Sequence, residues 1–195
     1  MKTKVLIVCV LIAVCFLDGN AQENEKRFGI ELNGGPSFAT KKLGDADLKT
    51  GMGFEGIFHY RFMPHLGIYT GWGWTGFTSK KSFAGTNTDF DETGYVLGLQ
   101  FCHPIEKSSI SYYLRTGALY NHIELENEEG DNLGDTGHGF GVQLAGGIDL
   151  PLGSNWSLTP GVKFNYLSRD IETMGTTTQI DLNYWSLRVG ILKKF

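Results

Sequence analysis

The amino-acid sequence predicts an all-β chain folded as an eight-stranded antiparallel up-and-down barrel. Three observations lead there. Apolar residues recur at every second position in eight successive segments, the connections alternate between short and long, and glycine and aromatic residues separate onto opposite faces. Composition narrows the field first. Of 195 residues, 41% are hydrophobic, 13% aromatic and only 19% charged, the wrong balance for a disordered chain. The 27 glycines are about twice ordinary usage, yet they do not fall at every third position, so the chain is no collagen. A formal charge of -4 without a Lys/Arg stripe argues against a nucleic-acid binder. The length suits one domain.

The first residues read as an export signal. Lys2 and Lys4 precede an apolar run from Val5 to Leu17, too short for the roughly 20 residues that cross a bilayer as a helix. Asp18-Gly19-Asn20-Ala21 then places small residues at the -3 and -1 positions, predicting cleavage between Ala21 and Gln22. Cys9 and Cys15 lie inside the run, where neither is placed to carry a lipid anchor. Cys102 then stands alone in the exported chain, so no intrachain disulfide forms. The expected division is a signal peptide over 1–21 and a barrel domain over 22–195.

Each strand follows from its parity. Phe28, Ile30, Leu32 and Phe38 alternate with Gly29, Glu31, Asn33 and Ser37. Met52, Phe54, Phe58, Tyr60 and Phe62 alternate with Gly51, Gly53, Glu55, His59 and Arg61. The third segment sets Leu66, Ile68, Trp72 and Trp74 against Gly67, Tyr69, Gly71 and Gly73. The fourth sets Tyr95, Leu97, Leu99 and Phe101 against Gly94, Gly98, Gln100 and Cys102. Then come Ile110, Tyr112, Leu114 and Tyr120 against Ser109, Ser111, Arg115 and Gly117. Phe140, Val142, Leu144, Ile148 and Leu150 oppose Gly139, Gln143, Gly147 and Asp149. Trp156, Leu158, Val162, Phe164 and Tyr166 oppose Ser157, Thr159, Lys163 and Asn165. Last, Trp185, Leu187, Val189, Ile191 and Phe195 oppose Ser186, Arg188 and Gly190. Successive strand side chains point to opposite faces, so every segment has one apolar and one polar-or-small face.

Short connections fall at Met63 to His65, Pro104 to Ser108 and Pro151 to Asn155, where proline's fixed φ is tolerated. Long polar connections are expected at Thr40 to Thr50, Ser79 to Thr93, His122 to Gly137 and Ser168 to Thr178. Pro36 and Pro160 fall inside strands and call for a bulge or an early strand end. Leu182 and Tyr184 have the opposite parity from Trp185 to Ile191, which predicts a bulge or a β-extension between Leu182 and Trp185.

Period 2 alone does not say which face is inside. A soluble lipocalin-like carrier of a small apolar ligand would turn the apolar face inward. A transmembrane barrel would turn it outward. The second is favoured because the weaker face combines glycine with Glu31, Glu55, Arg115, Asp149, Lys163 and Arg188, and glycine makes room for long paired side chains in a narrow lumen. Phe38, Phe54, Trp74, Tyr95, Tyr120, Phe140, Tyr166 and Trp185 stand on the apolar face near the long-connection ends, as in an interfacial aromatic girdle. The chain stops at Phe195, again on the apolar parity.

A signal peptide, eight amphipathic strands, short turns on one side and a closing strand ending in Phe195 resemble the small outer-membrane β-barrels of the OmpA/OmpX type. The resemblance runs from Arg27 to Phe195. It implies a place in the outer membrane among its lipids, short turns and termini in the periplasm, long loops outside the cell, and Phe195 as the signal read by the barrel-assembly machinery.

The remaining chemistry is sparse. Eight strands leave room only for side chains, so the six lumen charges are expected to form a salt-bridge plug with no open pore. Glu124, Glu126, Glu128, Glu129, Asp131 and Asp135 form an acidic stretch read as a solvated loop, with Ca²⁺ binding through oxygen ligands or recognition of a basic extracellular partner as the alternatives. Asn87, Asp89 and Asp91 have 1-3-5 spacing, but position 12 is Gly98 and not Glu, so this is no EF-hand loop. His59, His65, His103, His122 and His138 are scattered without HExxH spacing, so neither metal nor cofactor is expected. No GxSxG or assembled Ser/His/acid set is legible; a lipid-modifying enzyme is the least favoured reading. The expected role is structural, surface-display or adhesion-type, as a monomer.

Overall fold

Alternation at period 2 becomes ten antiparallel strands: β1 (Phe28–Ala39), β2 (Gly51–Arg61), β3 (Leu66–Ser82), β4 (Gly85–Pro104), β5 (Ser111–Glu126), β6 (Asn132–Asp135), β7 (Gly139–Gly153), β8 (Trp156–Leu158), β9 (Gly161–Thr173) and β10 (Thr176–Lys194). They belong to a computed structural model that describes residues 26–173 and 176–195. The expected signal peptide lies outside those residues. Eight strands, β1-β2-β3-β4-β5-β7-β9-β10, form a ring that closes where β10 pairs back onto β1. At the closure Phe28 and Phe195 exchange backbone bonds of 3.4 and 2.9 Å. The other two strands are short additions. β6 folds back on the far end of β5, and β8 bridges β7 and β10 at the turn end.

The apolar parity faces outward. Leu32, Leu97, Leu114, Leu187 and Val189 are all more than half exposed, while the opposite parity is buried. A solvated, apolar-inside carrier arrangement is therefore not the one adopted by this part of the wall. From Tyr112 to Tyr120, β5 rises about 20 Å at about 3.3 Å per residue and a tilt of about 40°, close to the roughly 25 Å apolar band of a membrane barrel. Lys193 sits on the outward parity of β10, and its ammonium reaches down to the Ser154 carbonyl at 3.2 Å and over the Trp156 ring at 4.9 Å.

Three expectations about irregularities meet different fates. Pro160 does break a strand. What reads as one segment from Trp156 to Tyr166 splits into β8 and β9, and Thr159 exchanges both backbone bonds with Gly190 just before the proline. Pro36 needs neither a bulge nor an early end. β1 keeps one register with β10 from Gly29↔Lys194 to Ala39↔Tyr184, and the ladder merely lapses at Gly35 and Pro36. The bulge expected between Leu182 and Trp185 is also missing, because β10 holds a single register with β9 from Thr176 to Arg188. The strand is extended instead, and the parity never changes. Ile180, Leu182 and Tyr184 point inward like Ser186 and Arg188 below them. What changes is the chemistry of the interior.

That change divides the barrel into two storeys. Toward the short turns the interior is polar. Toward the long connections it becomes an apolar core of Phe77, Phe90, Ile123, Leu125, Leu167, Ile171, Ile180 and Leu182. The connection from β1 to β2 folds over this core. Leu43 and Ala46 are fully buried and bonded to each other through their backbones at 3.0 Å, and the Phe83 amide donates to Asp45 Oδ1 at 2.7 Å. Three of the four long connections are mostly strand rather than loop. β3 and β4 continue to a tight turn between Ser82 and Gly85, β5 runs on to Glu126, and β9 and β10 pair as far as Thr173↔Thr176.

Glycine has a specific task on the inner face. Tyr69 lies across the cross-strand pair Gly98↔Gly117, where a methyl group on Gly117 would stand 2.5 Å from the Tyr69 hydroxyl. Tyr113 lies in the same way across Gly147↔Gly161, with its hydroxyl 2.6 Å from either added methyl. Aromatic rings thus fill grooves that only glycine leaves open. Overpacking a filled interior costs about 1–3 kcal/mol, so Gly117→Ala should lower the urea midpoint of the refolded barrel. Tyr69→Phe removes the nearest clashing atom, and the double variant should be more stable than the two single losses combined imply; strict additivity in a double-mutant cycle counts against the groove-filling role.

Candidate functional site

The inner face is built from alternate residues of every wall strand, so register decides which charges meet. All six charged residues anticipated for the lumen lie inside, each at least nine-tenths buried: Glu31, Glu55, Arg115, Asp149, Lys163 and Arg188. They stand at different heights. Near the turns, Asp149 Oδ2 meets Lys194 Nζ at 2.5 Å. One layer up, Arg115 Nη2 donates to Glu31 Oε2 at 2.6 Å and its Nε to Gln100 Oε1 at 2.7 Å, while the guanidinium lies over the Tyr113 and Tyr69 rings at 4.5 and 5.5 Å. Asn33 and Thr159 donate to the other oxygen of Glu31 at 3.2 and 3.3 Å. Above that, Lys163 Nζ lies 3.5 Å from Glu55 Oε1, which also accepts from Gln143 Nε2 at 2.9 Å. Tyr69 donates to the Gln143 carbonyl oxygen at 3.1 Å, locking that amide. Arg188 reaches only hydroxyls, Thr75 at 3.5 Å and Ser186 at 3.4 Å.

Two members of the network were not foreseen. Lys194 partners Asp149, where only Arg115, Lys163 and Arg188 had been assigned to the lumen as cations. Glu92 is the larger omission. It lies in the stretch Ser79 to Thr93, read as a loop, yet β4 carries it into the lumen, where it is almost completely buried. Tyr184 donates to Glu92 Oε2 in a short hydrogen bond, and Asn121 and Asn165 donate to Oε1 at 2.5 and 3.4 Å. With these two, four carboxylates face four cations inside the wall. The gap between Glu55, Glu92, Lys163 and Tyr184 has a volume of about 10 Å³, room for no more than one water. A wider vestibule of about 170 Å³ opens at the turn end, lined by His59, Arg61, Cys102, Tyr113, Asp149 and Lys194. Arg115 lines its inner end, with Glu31 beyond it.

On the outer face the eight aromatics of the anticipated girdle share one parity and lie toward the hairpin end. Phe38, Phe54, Tyr95, Tyr120, Phe140, Tyr166 and Trp185 are exposed, and Trp74 is half-buried. Register aligns several as direct neighbours: Phe38↔Trp185, Phe54↔Trp74, and Tyr95↔Tyr120↔Phe140 across β4, β5 and β7. A second aromatic belt at the turn end went unread. Phe28 stacks on Tyr60 at 4.8 Å, and His103 stacks on Tyr112 at 5.7 Å and on His65 at 4.6 Å. Its signal was available, since each belt marks one end of the same outward-facing rows.

Above the upper belt the acidic stretch is a structured hairpin. Glu124 and Glu126 belong to β5 and Asp135 to β6, with only the tip from 127 to 131 a turn. Asn87 crosses from β4 to donate to Glu128 Oε2 at 2.9 Å. Asp89 and Asp91 point outward from β4 as residues of a strand, so their 1-3-5 spacing does not curl around an ion. Burial, and then the neighbouring carboxylates Glu126, Asp89 and Glu124, push the Asp91 carboxyl up from its ordinary range. His122 Nδ1 lies 3.0 Å from Asp135 Oδ2.

Removing one partner of a buried ion pair leaves the other uncompensated, at a cost of about 3–5 kcal/mol. Arg115→Met should therefore destabilise the barrel by that order in urea unfolding from detergent micelles. The double change Arg115→Met with Glu31→Gln should recover most of the loss; no recovery would show that Arg115 acts through packing on the tyrosines rather than through its charge.

Comparison with known proteins agrees with this geometry. No curated protein sequence matches the chain. Among solved structures it is similar to Neisserial surface protein A, with 19% identity and a TM-score of 0.64 over 86% of this chain and 97% of that one. It is also similar to outer membrane protein W of E. coli, at 13% identity and TM-score 0.60 over 89% and 100% of the two chains. OprG, an outer membrane protein of Pseudomonas aeruginosa, gives 14% and 0.57 over 90% and 99%. At such identities these likenesses speak for the fold. The family model of the outer membrane protein beta-barrel domain matches residues 7–191, nearly the whole chain. A ring of eight strands with an apolar outer wall and a polar lumen is thus what its family implies: the chain is an outer-membrane protein and belongs to the outer membrane protein beta-barrel domain family.

Proposed function

We propose that this protein is a closed, non-conducting outer-membrane barrel whose role is to hold structured hairpins at the cell surface. The observation that carries the reading is the double filling of the interior: a layered ion-pair network in one storey and an apolar core covered by Leu43 and Ala46 in the other. Water would have to pass both, and the middle of the polar storey has room for a single molecule.

On this reading the hairpin end faces outside and the short turns face the periplasm. The barrel works as a monomer, delivered by the assembly machinery through the closing strand that ends at Phe195. What it offers to partners is the extension of β3, β4, β5, β6, β9 and β10 beyond the aromatic belt, with its acidic tip. The name of Neisserial surface protein A is in keeping with such a placement for that relative. On this reading the role is non-enzymatic.

Planar-bilayer recording tests the closed lumen. The intact protein is expected to give no stable conductance steps, and large steady steps would overturn the reading. Protease shaving of intact cells tests the display, with cleavage expected at the turn from 127 to 131 and protection of the 105–110 turn; the reverse pattern would invert the topology.

A further inference from the structure

Beyond the upper aromatic belt, β5 and β6 gather three metal-ligating side chains on one outward face. His122 and Glu124 are two residues apart on β5 and so project from the same side of the strand. Asp135 of β6 is the direct cross-strand partner of Glu124. His122 Nδ1 lies 3.0 Å from Asp135 Oδ2 and 3.8 Å from Glu124 Oε1, and donor atoms of the three residues all fall within 4.8 Å of one another. Donors bound tetrahedrally at about 2.0–2.1 Å are separated by roughly 3.4 Å. The two measured distances bracket that value, so small side-chain rotations would close the site.

The donors are held before any ion arrives. Asp135 Oδ1 accepts from the Gly137 amide at 2.6 Å, which leaves Oδ2 turned to the imidazole. The next residue is tied twice to β5, by Thr136 N to the Ile123 carbonyl at 3.1 Å and by Ile123 N to Thr136 Oγ1 at 2.9 Å. His138 stacks on His122 with ring centroids 4.3 Å apart, placing a second imidazole beside the site.

Cross-strand register supplies an independent argument. Asp91 stands directly opposite Glu124, which stands opposite Asp135, so three carboxylates cross three adjacent strands in one row. Asp89 stands opposite Glu126 in the next row. Like charges placed so are destabilising in an antiparallel pair, and no Lys or Arg occurs between Asn121 and Gly137. A bound cation turns this repulsion into attraction.

We propose that His122, Glu124 and Asp135 form a surface site for a divalent transition-metal ion of the zinc class, clamping β6 onto β5. An imidazole among the donors selects such an ion over Ca²⁺ and Mg²⁺, which take oxygen ligands. Three protein donors leave one position open toward the outside for water or for a group on a partner.

The test uses the refolded full barrel in detergent micelles. Zn²⁺ titration by calorimetry should show one saturable site, and Co²⁺ as a coloured probe should develop the absorption of a low-coordinate N/O site. His122→Asn and Asp135→Asn should each weaken Zn²⁺ binding by about tenfold or more, with folding of each variant checked by heat-modifiable gel migration. In the unmodified protein, Zn²⁺ should slow hydrogen exchange at Ile123 and Thr136, a readout that needs no variant. Absence of Zn²⁺ and Co²⁺ binding would overturn the proposal. So would Ca²⁺ competing as well as Zn²⁺ while both substitutions leave affinity unchanged, the signature of diffuse acidic attraction only.

Discussion

Inside lipid a backbone amide has no water to turn to, so every strand must find a neighbour on both sides and the last must find the first. Closure of β10 on β1 meets that demand, and with eight strands it sets the diameter of everything within. The wall then leaves a space one or two side chains wide. Tyr69 and Tyr113 lie flat across paired glycines because there is nowhere else for a ring to go. Arg115 spans from β5 to Glu31 on β1, across the lumen. A wider ring would leave those groups in water; this one obliges them to touch.

The same narrowness explains why charge inside the wall is matched, four carboxylates facing three buried cations and the half-buried Lys194. Each ion inside the wall has lost most of its hydration, and each would be costly without a partner. Like Arg188, which reaches only hydroxyls, Glu92 is an exception in kind, since its direct hydrogen-bond donors are neutral: a tyrosine and two asparagines. It stands at the boundary where the interior turns apolar, one layer below Phe90. Neutral donors at that level let the carboxylate be satisfied without drawing another charge toward the apolar storey.

Parity made much of this legible. Glu31, Glu55, Arg115, Asp149, Lys163 and Arg188 could be assigned to the lumen because each alternates with outward apolar residues in the lipid-facing band. The pairing was not legible, because it depends on stagger between strands that are distant in sequence, as in Lys194 with Asp149. Beyond the band the rule itself weakens. From Phe77 to Thr93 the outward face is wet, so Thr78, Asp89 and Asp91 replace the apolar residues that mark a strand, and only Phe77 and Phe90 betray the inner side. Glu92 was lost with that stretch. The apparent phase change at Leu182 and Tyr184 has the same origin: the strand is unbroken, but its greasy side passes from lipid to core. The grouping of His122, Glu124 and Asp135 needed the fold-back of β6, which no spacing in the sequence announces.

Because the ladders of β3 to β6 and of β9 and β10 run on past the aromatic belts, the paired strands beyond the membrane have their arrangement before they meet anything. A flexible loop gives up its conformational entropy at the moment of association, and that loss is subtracted from affinity. Here the loss is taken during folding. On the display role proposed above, the hairpins present a fixed arrangement of side chains, and a partner would recognise them by shape complementarity drawn from several strands at once, not by reading one continuous peptide.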